Sequence, residues 1–309
     1  MISEGTFKGA RAITLENDVL RAVILPQIGG KLSSIFRKNK EFELLFQNQK
    51  PVYRKARIHD SFGDYDASGF DDAFPSINIG HVIIDGKEVV YPDHGEIWSM
   101  EFNDSIENDK VILVGSSSFL PYKYKKIISL SEDSVLVEYS VTNFGSADIP
   151  CIWAAHYLVN CEPDMRIVFP EGTKEVENVV ESRYLGNIGR IHPYPHTIAE
   201  TGEKFDLDRV LPASACNWEK YYVNGKVKQG LCGIDYPSRD VKYRLYFDQE
   251  KLPYLGFWIT EGKFRGDYNC ALEPTNGYYD RIDTARSKNA LYLLKKGDTF
   301  QFDLKIELK

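Results

Sequence analysis

Residues 299–309 read TFQFDLKIELK, in which Phe300, Phe302, Leu304, Ile306 and Leu308 alternate with Gln301, Asp303, Lys305 and Glu307. A period of two sends the apolar side chains to one face and the polar ones to the other, as in a half-buried antiparallel strand. The rhythm recurs in SVLVEYSVTN, where Val135, Val137, Tyr139 and Val141 oppose Glu138 and Ser140. It recurs again in VKYRLYFD, with Val241, Tyr243, Leu245 and Phe247 set against Lys242, Arg244 and Tyr246. Turn signals punctuate these runs, and HVIIDGKEVVYP reads as a hairpin in which Asp85-Gly86 supplies the positive φ angles of a tight turn. Only residues 279–288 leave room for a short helix. The chain is therefore expected to be all-β, a large antiparallel β-sandwich with few short helices. No linker divides it, so residues 1–309 are expected to form one domain, with 171–215 as a long irregular excursion.

At 309 residues and 43% hydrophobic content the chain can bury a large core. A net charge of −7 argues against a nucleic-acid partner. The one basic run, from Lys123 to Lys126, is expected to be the solvated face of a strand. No apolar run approaches a membrane span, and the first residues lack the apolar core of a secretory signal, so a cytoplasmic protein without a membrane partner is expected. Five cysteines without CxxC spacing read as free thiols. His192 and His196 are four apart, but the intervening prolines forbid a helix, and no other metal-ligand spacing is present, so no metal is expected.

Four stretches carry candidate chemistry. YPDHGEIW places His94 before Gly95, and IPCIWAAHYLVN places His156 in an apolar run. GFDDAFPSI holds Asp71 and Asp72, and ALEPTNGYYDR places Glu273 at the mouth of an apolar strand, where a carboxylate is costly unless it has partners or a task. Taken singly, each fits a structural role: a core histidine, a turn, a loop cap, a strand end.

Their order is more telling. An early AVILPQIGGKLSSI, then DHG, then an apolar strand ending in His, then a late LEP, resembles the galactose mutarotase (aldose 1-epimerase) superfamily from about Val23 to about Leu308. The resemblance implies a β-sandwich with a sugar lying across one concave sheet, and a catalytic set of Glu273, His156 and His94. It makes Glu273 the base that takes the anomeric proton and His156 the acid that protonates the ring oxygen. His94 would hold the ring oxygen or a hydroxyl. No cofactor is implied. The implied partner is a small-molecule carbohydrate, and the protein a monomer or homodimer.

This chain departs from the family's pattern around the sugar. The stretch after the middle His is HYLVN, the early sugar-binding Arg is replaced in its neighbourhood by Asp71 and Asp72, and the later Asp by a region offering Asn217 and Lys220. Substrate-binding candidates are therefore Asp71, Asp72, Asn217 and Lys220, with Trp258 before Trp218 and Tyr157 as stacking surfaces and Trp153 expected in the core. Two alternatives stand beside the mutarotase: a noncatalytic carbohydrate-binding protein, and a glycosidase or lyase pairing Glu273 with Asp71 or Asp72.

Overall fold

The computed structural model describes residues 1–65 and 67–309. The alternating segments form the strands their pattern requires: Ser134–Asn143, Val241–Phe247 and Thr299–Leu308 pair side by side in an eight-stranded antiparallel sheet. A 13-stranded sheet faces it. Its centre runs in the order Lys31–Arg37, Phe70–Ala73, Ala154–Tyr157, Tyr268–Thr275, Tyr254–Glu261, Asn217–Val223 and Glu175–Asn178. The hairpin at Asp85-Gly86 joins Gly80–Ile84 to Lys87–Tyr91 with φ values of 50° and 72° at the turn. The short helix is Ile282–Ser287. Among the described residues no helix is long and apolar enough to cross a membrane.

The excursion at 171–215 is more ordered than its composition suggests. Glu175–Asn178 and Ile191–Pro193 extend the large sheet at one edge, and His196–Ile198 pairs with Lys204–Asp206. Short strands broken by Pro and Gly leave too few residues for alternation to show. Within it His192 is buried, bonded through Nδ1 to Thr197 and through Nε2 to the Leu185 carbonyl, which gives that histidine a structural role.

The core fills the space between the two sheets. Trp153 lies there, fully buried, donating from Nε1 to the Tyr124 hydroxyl at 2.7 Å. Two of the sequence candidates turn out to be core residues as well. Asp72 shares the inward face with Phe70, accepts from the Tyr139 hydroxyl at 3.1 Å and pairs with Lys126 at 2.9 Å, both side chains fully covered. Tyr157 stacks on Phe70 with ring centroids 3.5 Å apart. In each case the period of two decides: these residues sit one position out of phase with the open face. Lys126 corrects the solvated reading of the basic run for the same reason, since its strand Tyr122–Ser131 points it inward to meet Asp72.

Candidate functional site

On the open face of the 13-stranded sheet, neighbouring strands set their outward residues in rows. Lys220 lies opposite Trp258, Trp258 opposite Ala271, Gly256 opposite Glu273, and His156 opposite Asp71. A cavity of about 380 Å³ opens there, walled by Phe62, Trp258, Phe264 and Trp218, with His94, His156, Lys220 and Asp280 among its polar lining. Hydrophobic walls with a few convergent polar groups are the usual form of a small-molecule site.

Three lining atoms, Nδ1 of His156, Oδ1 of Asn269 and Nε1 of Trp218, are buried and make no hydrogen bond among the described residues. Buried polar atoms are normally paired, so unpaired ones on a cavity wall point to a polar ligand.

His94 is placed by its backbone. It adopts φ of 55° and Gly95 φ of 73°, while the His94 N–H donates to the Ile77 carbonyl at 2.6 Å and the Glu96 N–H to the Phe74 carbonyl at 2.8 Å. A Cβ on Gly95 would stand 2.1 Å from the Phe74 carbonyl oxygen, so this turn closes only around glycine. Gly95→Ala is expected to cost on the order of 3 kcal/mol in urea unfolding, from the left-handed backbone together with the clash. The His94 ring stacks on Phe62 at 4.3 Å between centroids, and its Nδ1 lies 2.8 Å from Oδ1 of Asp93. The Asp93 carboxyl lies below its ordinary range: burial alone would raise it, but the hydrogen bond and charge of His94 and the Phe62 N–H outweigh burial.

His156 meets His94 edge to face, with ring centroids 4.9 Å apart. Burial, followed by the charges of His94, Lys220 and Lys31, holds the His156 imidazole well below its ordinary range, so it is neutral at neutral pH.

Glu273 is fully buried. Gly256 makes room for it, because a Cβ there would fall 3.2 Å from Glu273 Oε2 and 2.9 Å from the Tyr222 ring. The Lys220 ammonium stands 3.0 Å from Glu273 Oε2 and 3.0 Å from Asp280 Oδ2. Burial pushes the Glu273 carboxyl up, and the charge of Lys220 moderates the rise. For Lys220 itself burial acts downward, but the charges of Asp280 and Glu273 prevail and hold it above the ordinary lysine range. Asp280 is fixed in turn by the Tyr222 hydroxyl at 2.7 Å.

The structure thus gathers His94, His156, Lys220 and Trp258 on one cavity, with Glu273 directly behind Lys220. It separates the remaining candidates. Asp72 and Tyr157 face the core. Asp71 lies on the open side, but its carboxylate is held by Lys31 at 2.7 Å and does not line the cavity. Asn217 points to the opposite face from Lys220 and donates to Glu261 at 3.0 Å and to Glu219 at 3.3 Å. Sequence reasoning missed Asp280, Phe62 and Asn269 as site residues, and gave Asp93 only a turn. The one available signal for Asp280 was its place in GYYDR, seven residues after Glu273.

This is the galactose mutarotase-like fold, and the comparisons with known proteins agree. A galactose mutarotase-like protein from Lactobacillus casei ATCC 334 superposes with a TM-score of 0.71 at 21% identity, covering 96% of this chain and 100% of that one. The Slr1438 protein from Synechocystis sp. PCC 6803 gives 0.70 at 16% identity, covering 99% and 98%. A galactose mutarotase related enzyme from Lactobacillus acidophilus gives 0.70 at 15% identity, covering 96% and 97%. No curated protein matches the chain. By sequence, residues 3–205 match the family described as a domain of unknown function (DUF5107), and the chain belongs to that family.

Proposed function

We propose that this chain is a cofactor-independent carbohydrate mutarotase, interconverting the α and β anomers of a free sugar or sugar derivative. The observation that carries the reading is the convergence of two imidazoles, 4.9 Å apart, and Lys220 on one aromatic-walled cavity, with Glu273 paired to Lys220 behind it. The relatives of the same fold are described as galactose mutarotase-like, which supports the reading without deciding it.

Ring opening needs a base at the anomeric hydroxyl and an acid at the ring oxygen. The proton on O1 passes to Glu273, the C1–O5 bond breaks as C1=O1 forms, and an imidazolium gives its proton to O5. Rotation about C1–C2 and reversal of both transfers closes the other anomer. A carboxyl raised by burial is the better base for this task, since its proton affinity comes nearer to that of its donor. Lys220 stands between Glu273 and the cavity, and an anomeric hydroxyl beside it would supply the donor that Glu273 Oε1 lacks among the described residues.

Polarimetry tests this reading. Freshly dissolved single anomers of a panel of aldoses and ketoses are followed with and without protein, and faster relaxation for at least one sugar is the expected result. Trp258→Ala is expected to raise the KM for that sugar by about fivefold with little change in kcat, because the ring supplies stacking area and no proton. A second reading, carbohydrate binding without turnover, is favoured by the complete burial of Glu273 behind Lys220. The glycosidase reading loses its carboxylate pair, because Asp71 is tied to Lys31 and Asp72 lies in the core.

A further inference from the structure

The two imidazoles differ in what they can do with a proton. Nδ1 of His94 faces a carboxylate oxygen at 2.8 Å, and that carboxylate is held from its other side by the Phe62 N–H at 2.9 Å. The Asp93 carbonyl accepts from Trp98 Nε1 at 2.9 Å, so Asp93 is held through both its side chain and its backbone. An ionised Asp93 can only accept, which places a proton on His94 Nδ1 and leaves Nε2 as the nitrogen available to a ligand. When Nε2 is protonated as well, the imidazolium charge has a carboxylate beside it.

His156 has no such partner among the described residues. Its Nδ1 is buried and unpaired among the described residues, so an imidazolium there would add an unsatisfied donor and an uncompensated charge. Its charged neighbours are unfavourable too: Lys220 and Lys31 act against a positive His156, as does His94 when protonated. Among the ionisable groups acting on His94 are Asp93, His156 and Glu273, and Lys220 and Asp280 line the same cavity.

We propose that His94, positioned by Asp93, is the imidazole that gives its proton to the ring oxygen, and that His156 serves as an uncharged hydrogen-bond partner to a sugar hydroxyl. This reverses the roles implied by the family resemblance, and it rests on the ring-opening reading for its chemistry. After the transfer His94 is left as the Nδ1–H tautomer that Asp93 already favours, so no proton has to move within the ring. Asp93 is a positioning residue. It acts through His94.

The test has a part that does not depend on activity. Long-range nitrogen–proton correlation spectra of the nitrogen-15-labelled full chain report the protonation of each ring nitrogen, with His94→Gln and His156→Gln spectra for assignment. Between about pH 8 and about pH 5, the neutral His94 ring is expected to be the Nδ1–H tautomer, while the His156 signals stay those of a neutral ring. A His156 that gains the proton, or a His94 carrying its neutral proton on Nε2, overturns the proposal whether or not the protein is a mutarotase. If no sugar is turned over, the ring-opening reading falls while the spectra still decide which imidazole is protonated.

Kinetics test Asp93 in turn. Asp93→Asn is expected to lower kcat by about 10²-fold with KM nearly unchanged and to move the acid limb of the pH–rate profile, and Asp93→Glu to recover part of the loss. An Asp93→Asn protein with a native-like spectrum and unchanged kcat and pH profile overturns the positioning role. Should that variant fail to fold, Asp93→Glu is read alone, and an unaltered profile with a weakened or displaced carboxylate–His94 contact in the spectra counts against the proposal.

Discussion

Glu273→Gln is expected to lower the protein-driven rate of anomer exchange by about 10³-fold while sugar binding changes little. Gln is nearly isosteric, so the side chain keeps its place beneath Gly256 and Tyr222, but its amide cannot take a proton from the anomeric hydroxyl. The fold should tolerate the change. Lys220 keeps Asp280 as a partner at 3.0 Å, so no charge is left alone. The variant therefore separates chemistry from structure: saturation-transfer NMR should still detect the sugar, and exchange should fall to near the solvent rate. Retained exchange at more than a tenth of the native rate would assign the base elsewhere.

Lys220→Met is expected to act mainly on stability, by about 3–5 kcal/mol, the range found when one partner of a buried charge pair is removed. Lys220 stands at ion-pair distance from both Glu273 and Asp280, and its side chain is only 10% exposed. Methionine fills much of the same volume without the charge. The pH dependence has a definite sign. Burial already raises the folded-state Glu273 carboxyl above its unfolded value, and loss of Lys220 removes the main opposing influence, so it should rise further. The folded variant then holds a proton that the unfolded chain has released, and its stability falls as pH rises from the ordinary glutamate range through the folded value. Lys220 in the native protein contributes in the complementary way: its raised pKa gives stability that is present below the ordinary lysine range and is lost at higher pH. Urea unfolding of both proteins across the acid-to-neutral range measures the difference. A cost below about 1 kcal/mol, with no dependence on pH, would mean that the triad is not the buried charge cluster described here.

The fold was legible wherever long strands half-face solvent. In residues 299–309 and 134–143 one register buries the apolar set, and a slip of one residue would expose it. The same regularity could have corrected two misreadings. Lys126 falls in phase with Tyr122, Tyr124 and Ile128, and Asp72 in phase with Phe70, so both belonged to the inner face, where each supplies the other's charge partner. Neither residue looks like a core residue by type, and pairing across two sheets 54 positions apart leaves no local trace.

The candidate site was legible where a short motif fixes the backbone. Asp93-His94-Gly95 demands a left-handed turn, and Glu273 occupies an otherwise apolar strand. Asp280, Phe62 and Asn269 were hidden because they reach the cavity from segments whose approach depends on the whole fold. Phe62 comes from a short turn more than thirty positions from His94 and still stacks on its ring. Tyr279, with φ of 78°, bends the chain just before Asp280, and nothing in the residue type announces that bend.

Two-dimensional exchange NMR at anomeric equilibrium is the sharpest test of the claim that this cavity opens a sugar ring. The best sugar from the polarimetric panel is measured with native protein, with Glu273→Gln and with no protein, in a buffer that keeps spontaneous mutarotation slow. Cross-peaks between the α and β anomeric protons that grow with native protein and vanish in the variant are the expected result. Binding of that sugar by the native protein with cross-peaks no stronger than in buffer would contradict the claim and leave a carbohydrate-binding protein on a mutarotase-like fold.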